Sequence, residues 1–156
     1  MRPLLATLAL TTALTAPSLA GATEVTLKTQ LRNYGGKPAF LAYYVTDQTG
    51  AYVGTLWMAA SKARYIPDLT DWYRYSGGDM NEISGITGAS VGSGRTLTVT
   101  LDLADTLFDA GYTLHIDAAV EHYPASPSEI VLPLTREGAS KPVSGRGYIE
   151  SFSYAM

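Results

Sequence analysis

From Thr23 to Arg32 apolar and polar positions alternate, with Val25, Leu27, Thr29 and Leu31 on one side and Glu24, Thr26, Lys28 and Gln30 on the other. A period of two predicts a half-buried strand. Asn33 to Pro38 carries turn chemistry, and Ala39 to Thr46 then reads as a second strand rich in aromatic and β-branched residues. The Asp47-Gln48-Thr49-Gly50 turn leads into a third strand from Ala51 to Met58, so the second and third strands predict a hairpin. Arg95 to Leu103 and Tyr112 to His122 alternate again, the first with Leu97, Val99 and Leu101 on its apolar side, the second with Leu114, Ile116, Ala118 and Val120. Glu129 to Leu134 and Tyr148 to Tyr154 complete seven predicted strands.

The alternation fails in two places. After Pro67, Asp68 to Tyr75 spaces Leu69, Trp72 and Tyr73 on one helical face and stops at Ser76-Gly77-Gly78, which predicts a short helix. Ser84 to Gly94 holds four glycines and four hydroxyl residues in eleven positions, with little that can pack a core. It predicts a long glycine-rich loop, and loops of this kind carry function. Seven short strands, one short helix and turn signals between them predict an all-β fold, an immunoglobulin-like antiparallel β-sandwich.

The first residues change the picture of where the chain works. Arg2, an apolar run from Pro3 to about Ala16, and small residues around Ala20 and Ala22 have the form of a secretory signal peptide. Residues 1–20 are expected to be removed, or cleavage follows Ala22, and residues 23–156 are expected to form one periplasmic domain. The remainder holds ten basic and fourteen acidic residues, a net charge of −4. No basic run offers a footprint for nucleic acid or an anionic membrane. With no cysteine, neither a lipid anchor nor a disulfide is available.

Several strings invite chemistry. Gly88-Ala89-Ser90-Val91-Gly92 matches a nucleophile elbow, but an elbow needs a strand before it and a helix after it, and a strand follows here. Gly36-Lys37 runs into Pro38 where a phosphate loop needs a hydroxyl. His115, Asp117 and Glu121 project from one face of one strand and are candidate metal ligands, with His122 on the opposite side unless a bulge turns it. The plain alternative is that they are solvated side chains on an open sheet face. Trp57, Trp72, Tyr73 and Tyr75 are candidates to stack on a planar ligand such as an isoalloxazine ring, or else to pack a core.

The series of the aromatic hairpin, Leu56-Trp57, Arg64-Tyr65, Trp72-Tyr73-Arg74, Ser84-Gly85-Ile86-Thr87, Ala110-Gly111-Tyr112-Thr113 and Glu121-His122 resembles the periplasmic family known as domain of unknown function 2271. In that family the central loop reads Ser-Gly-Ala-Thr, and Ile86 stands here in place of the alanine. The resemblance implies an accessory protein working beside PepSY-type membrane reductases and periplasmic flavin transferases, in iron-acquisition settings. The loop is similar to the motif at which such transferases join FMN to a threonine through a phosphodiester. Carried over, Thr87 is the acceptor with Ser84 and Gly85 before it, and a shifted register makes Ser90 the acceptor. Small neighbours suit such a hydroxyl, because the loop must enter a transferase active site.

The expectation is an exported accessory or binding module of a membrane-linked redox or iron-acquisition system, without catalysis of its own. Its partner would be a membrane reductase or flavin transferase. One alternative is a covalently flavinylated electron carrier holding FMN at Thr87 or Ser90, with Trp72 near the flavin. The other is a module binding iron or another metal through His115, Asp117, Glu121 and His122.

Overall fold

The computed structural model describes residues 21–156. The segment read as a signal peptide lies outside them. Among the described residues no helix is long and apolar enough to cross a membrane.

Among the described residues eight strands form two sheets. They are β1 (Ala22–Leu31), β2 (Ala39–Thr46), β3 (Tyr52–Ala59), β4 (Thr87–Gly88), β5 (Thr96–Ala104), β6 (Thr113–Val120), β7 (Ser126–Pro133) and β8 (Ile149–Ala155). The smaller sheet has the order β5-β1-β8 and the larger β4-β3-β2-β6-β7. All named pairs are antiparallel except β3 with β4, so the all-β sandwich expected from the alternation is present. A 3-10 segment (Ala63–Asp68) and helix α1 (Thr70–Ser76) follow β3.

The predicted strands are found, β2 with its expected ends and the others with shifted ends, and β4 is added. It arises inside the glycine-rich segment, where Met58 donates its N–H to Ile86 O and Ala60 to Gly88 O, each at 2.8–2.9 Å. Gly88 permits this docking, since a Cβ there would sit 2.7 Å from Trp57 Cζ2. The last strand pair also differs, because β7 starts three residues earlier than its apolar pattern predicts and runs through Pro127. As the edge strand, β7 tolerates a residue that cannot donate to a ladder.

Two cores result. The first fills the sandwich with Val25, Leu27, Leu31, Leu41, Tyr43, Val45, Leu114, Ile116, Phe152 and Tyr154. Tyr43 and Thr29 share a hydrogen bond across it at 2.6 Å, so the phenol enters the core with its polar end satisfied. The second core lies on the outer face of the larger sheet, where Phe40, Ala42, Tyr44, Met58 and Ala119 meet Ile66, Leu69, Trp72 and Ile83. Strand β2 therefore has every residue buried, Ala39, Leu41, Tyr43 and Val45 in the first core and Phe40, Ala42 and Tyr44 in the second. At about 25 cal/mol per Å² of apolar surface removed from water, a buried Trp72 and its neighbours give the cover a firm hold on the sheet.

Seven residues are too few for a helix to stand alone, so α1 depends on this packing and on help at its start. Leu69 at the N-cap offers no side-chain cap. The help comes from another strand: Asp117 Oδ2 accepts the Trp72 N–H at 2.6 Å. Gly77, with φ 74°, closes the helix in the left-handed conformation.

Candidate functional site

The polar face of β6 is covered. His115 and Asp117 lie beneath α1, Asp117 with no exposure and His115 with 8 %. This corrects the expectation of solvated side chains: the period of two places them on one face, and a second core covers that face.

Asp117 is a structural hub. Oδ1 accepts from Tyr44 OH at 2.9 Å and from Ser128 N at 2.8 Å, while Oδ2 accepts from Trp72 N. The pairing of β6 with β7 slips between Ile116 and Ala118, and Ser128 takes a positive φ of 45° there. The carboxylate occupies this bulge and satisfies the amide that the ladder leaves free. Burial pushes its pKa up, against the pull of the three donors. His115 Nε2 pairs with Thr46 Oγ1 at 2.9 Å, and its ring stacks on Tyr44 at 5.0 Å. Burial holds its pKa down, with the nearby Asp71 acting the other way, and among the described residues Nδ1 has no hydrogen-bond partner.

Glu121 continues the alternation past the strand end and reaches the rim. It accepts from Tyr65 OH at 2.7 Å and Lys62 Nζ at 3.0 Å, and these contacts, Tyr65 first, lower its pKa to about 2. His122 turns at a left-handed φ of 68° and brings Nε2 within 3.4 Å of Glu121 Oε1, away from the apolar side. The four candidate ligands thus divide into a pair beneath α1 and a pair past the strand end, where Glu121 is as buried as His115 and His122 is exposed. Among the described residues no three His, Cys, Asp or Glu side chains gather closely enough to hold a metal ion.

Trp72 takes the packing role. It is fully buried and donates Nε1–H to Thr55 Oγ1 at 2.8 Å.

The loop hydroxyls separate just as clearly. Ser84 and Gly85 are exposed in a turn in which Ser84 N bonds Asn81 O and Ile86 N bonds Ile83 O, with Gly85 at φ 83°. Thr87 is exposed on β4 at the sheet edge, its Oγ1 donating to Ile83 O at 2.8 Å. Ser90 is half-buried and clamped: its N–H donates to Ser61 Oγ at 2.9 Å and its Oγ accepts from Ser61 N at 2.8 Å.

Ser90 also lines a cleft of about 210 Å³ with Lys37, Pro38, Phe40, Ser61, Lys62 and Glu121. Sequence reading singled out Ser90 and Glu121 but missed Ser61, Lys62 and the engaged Tyr65. Lys37 drew notice only as a failed phosphate loop. The faint signal was Ser61-Lys62 directly after a strand end, polar residues where a chain leaves a sheet.

Fold and site together define a β-sandwich with a helix-sealed second core and a hydroxyl-bearing segment docked on its sheet edge. The chain belongs to the family described as Predicted periplasmic protein (DUF2271), whose model matches residues 22–151. No curated protein and no solved structure matches it.

Proposed function

We propose that this protein is an exported accessory module of a membrane-linked redox or iron-acquisition system that carries a flavin on its edge segment and performs no catalysis alone. The observation that carries this reading is the contrast between Thr87 and Ser90. Thr87 presents from a sheet edge an exposed hydroxyl that, among the described residues, bonds Ile83 O alone, while Ser90 is tied to Ser61 in both directions. A transferase must bring a bulky flavin phosphate to the oxygen, and an exposed edge threonine beside Gly85 and Gly88 gives it room. In the step, Thr87 Oγ1 attacks the FMN phosphorus of a flavin dinucleotide. The new ester bond forms as the pyrophosphate bond breaks, AMP leaves, and the hydroxyl proton passes to a base of the transferase. The protein then relays electrons between the membrane reductase and its acceptor.

Intact-mass measurement of protein from its native periplasm, or after co-expression with a flavin transferase, tests this. The expected result is a yellow protein heavier by one FMN less one water, with Thr87→Ala unmodified and Ser90→Ala still modified. A colourless, unmodified wild-type protein in the presence of active transferase overturns it.

A further inference from the structure

The cleft beside Ser90 holds an arrangement that flavin attachment at Thr87 does not use. Ser61 Oγ and Ser90 Oγ each accept the other residue's backbone N–H, and among the described residues neither hydroxyl hydrogen has an acceptor. A hydroxyl carries one donor and two acceptor sites, so this reciprocal clamp fixes both oxygens and leaves two O–H donors to turn toward the cleft. Lys37 and Lys62 line the same space. The one carboxylate there, Glu121, is engaged by Tyr65 OH, Lys62 Nζ and His122 Nε2, and the lining keeps a net positive charge. Pro38 and Phe40 supply the apolar part of the wall, with Phe40 stacked on Tyr65 at 5.5 Å.

We propose that this cleft binds a small anion of the phosphate class, held by the Ser61 and Ser90 hydroxyls and the Lys37 and Lys62 ammonium groups. Two hydroxyl donors on fixed oxygens, with the Lys37 ammonium and the Glu121-paired Lys62 ammonium, suit a tetrahedral head with several acceptor oxygens. The volume of about 210 Å³ lies below the roughly 300–1,000 Å³ of sites that enclose drug-sized ligands, so the cleft encloses a head group with a short stem. Two sources share this chemistry: inorganic phosphate, and a phosphate monoester whose stem lies on Pro38 and Phe40. The site stands whether or not Thr87 is modified.

The experiment is an amide NMR titration of the unmodified protein with inorganic phosphate and, separately, glycerol 3-phosphate, against chloride at matched ionic strength. Saturable shifts of the Ser61 and Ser90 amides with phosphate but not chloride are expected. Tighter binding of the monoester assigns the stem to the apolar wall, and equal binding assigns the head alone; either supports the site. Lys37→Met, at an exposed side chain that leaves the clamp intact, weakens binding by about tenfold, the loss of one charge-assisted contact. Glu121→Gln removes the opposing charge and tightens it several-fold, a gain that a purely structural role for Glu121 does not produce. Shifts that grow linearly and match chloride, or a Lys37→Met protein that titrates like wild type, overturn the proposal.

Discussion

Asp117 and Glu121 leave the same face of the β6 register four residues apart, and their surroundings drive their acidities in opposite directions. Asp117 is sealed under α1, where loss of water outweighs three donors and raises its pKa. Glu121 stands at the rim, where a phenol and an ammonium hold its charge and lower its pKa to about 2. The first carboxylate organises the fold, joining β2, β7 and the helix start. The second helps to shape the wall of an open cleft. One strand thus serves structure at its centre and a surface site at its end, and the division is set by what covers each residue.

The sharpest way to break this comparison is Asp117→Ala. It leaves the Trp72 and Ser128 amides and the Tyr44 hydroxyl without their acceptor in a buried place. A loss of roughly 3–5 kcal/mol is expected, read as a fall in the urea midpoint. A loss below about 1 kcal/mol would return Asp117 to the ordinary surface class.

His115 sharpens the same side. Its folded pKa lies below the ordinary value, so between that value of about 6.5 and the lower folded one, the unfolded chain takes up a proton that the folded ring resists. Stability is therefore expected to decline as pH falls through about 6.5. In thermal melts His115→Phe, keeping the stack on Tyr44, shows a flatter profile over that window.

The smallest effect belongs to the rim. Glu121 has a lowered folded pKa, so its contribution is present above the unfolded value of about 4.3 and is lost as pH falls toward about 2. Glu121→Gln is expected to lower the melting temperature slightly at neutral pH. The gap to wild type should close over that acid window, and a gap that persists at pH 2 would assign the effect to packing instead of charge.

Much of the fold was legible because β1, β5 and β6 each alternate cleanly, and the helix is bracketed by Pro67 and Gly77. The second core was harder to see. Periodicity states that His115, Asp117 and Ala119 share a face, but carries no information on whether another layer covers it. The hint lay in β2, where Ala39 to Val45 is apolar at odd and even positions alike, the mark of a strand buried on both sides. In the candidate site, Thr87 and Ser90 could be named from their loop but not told apart, since exposure depends on the docking of β4 and on Ser61, 29 residues away. The cleft gathers Lys37, Ser61, Lys62, Ser90 and Glu121 from four separate stretches, and no local pattern joins them.

The bulge at Ser128 has a consequence for motion. One carboxylate holds the Trp72 amide with one oxygen and the Ser128 amide with the other, and the Ser128 hydroxyl donates to Asp71 of the helix at 2.5 Å, so lifting the helix breaks a bond to the sheet's outer edge. Helix α1 and the bulged part of β7 are therefore expected to open as one cooperative unit, read as Trp72 and Ser128 amides that exchange hydrogen together.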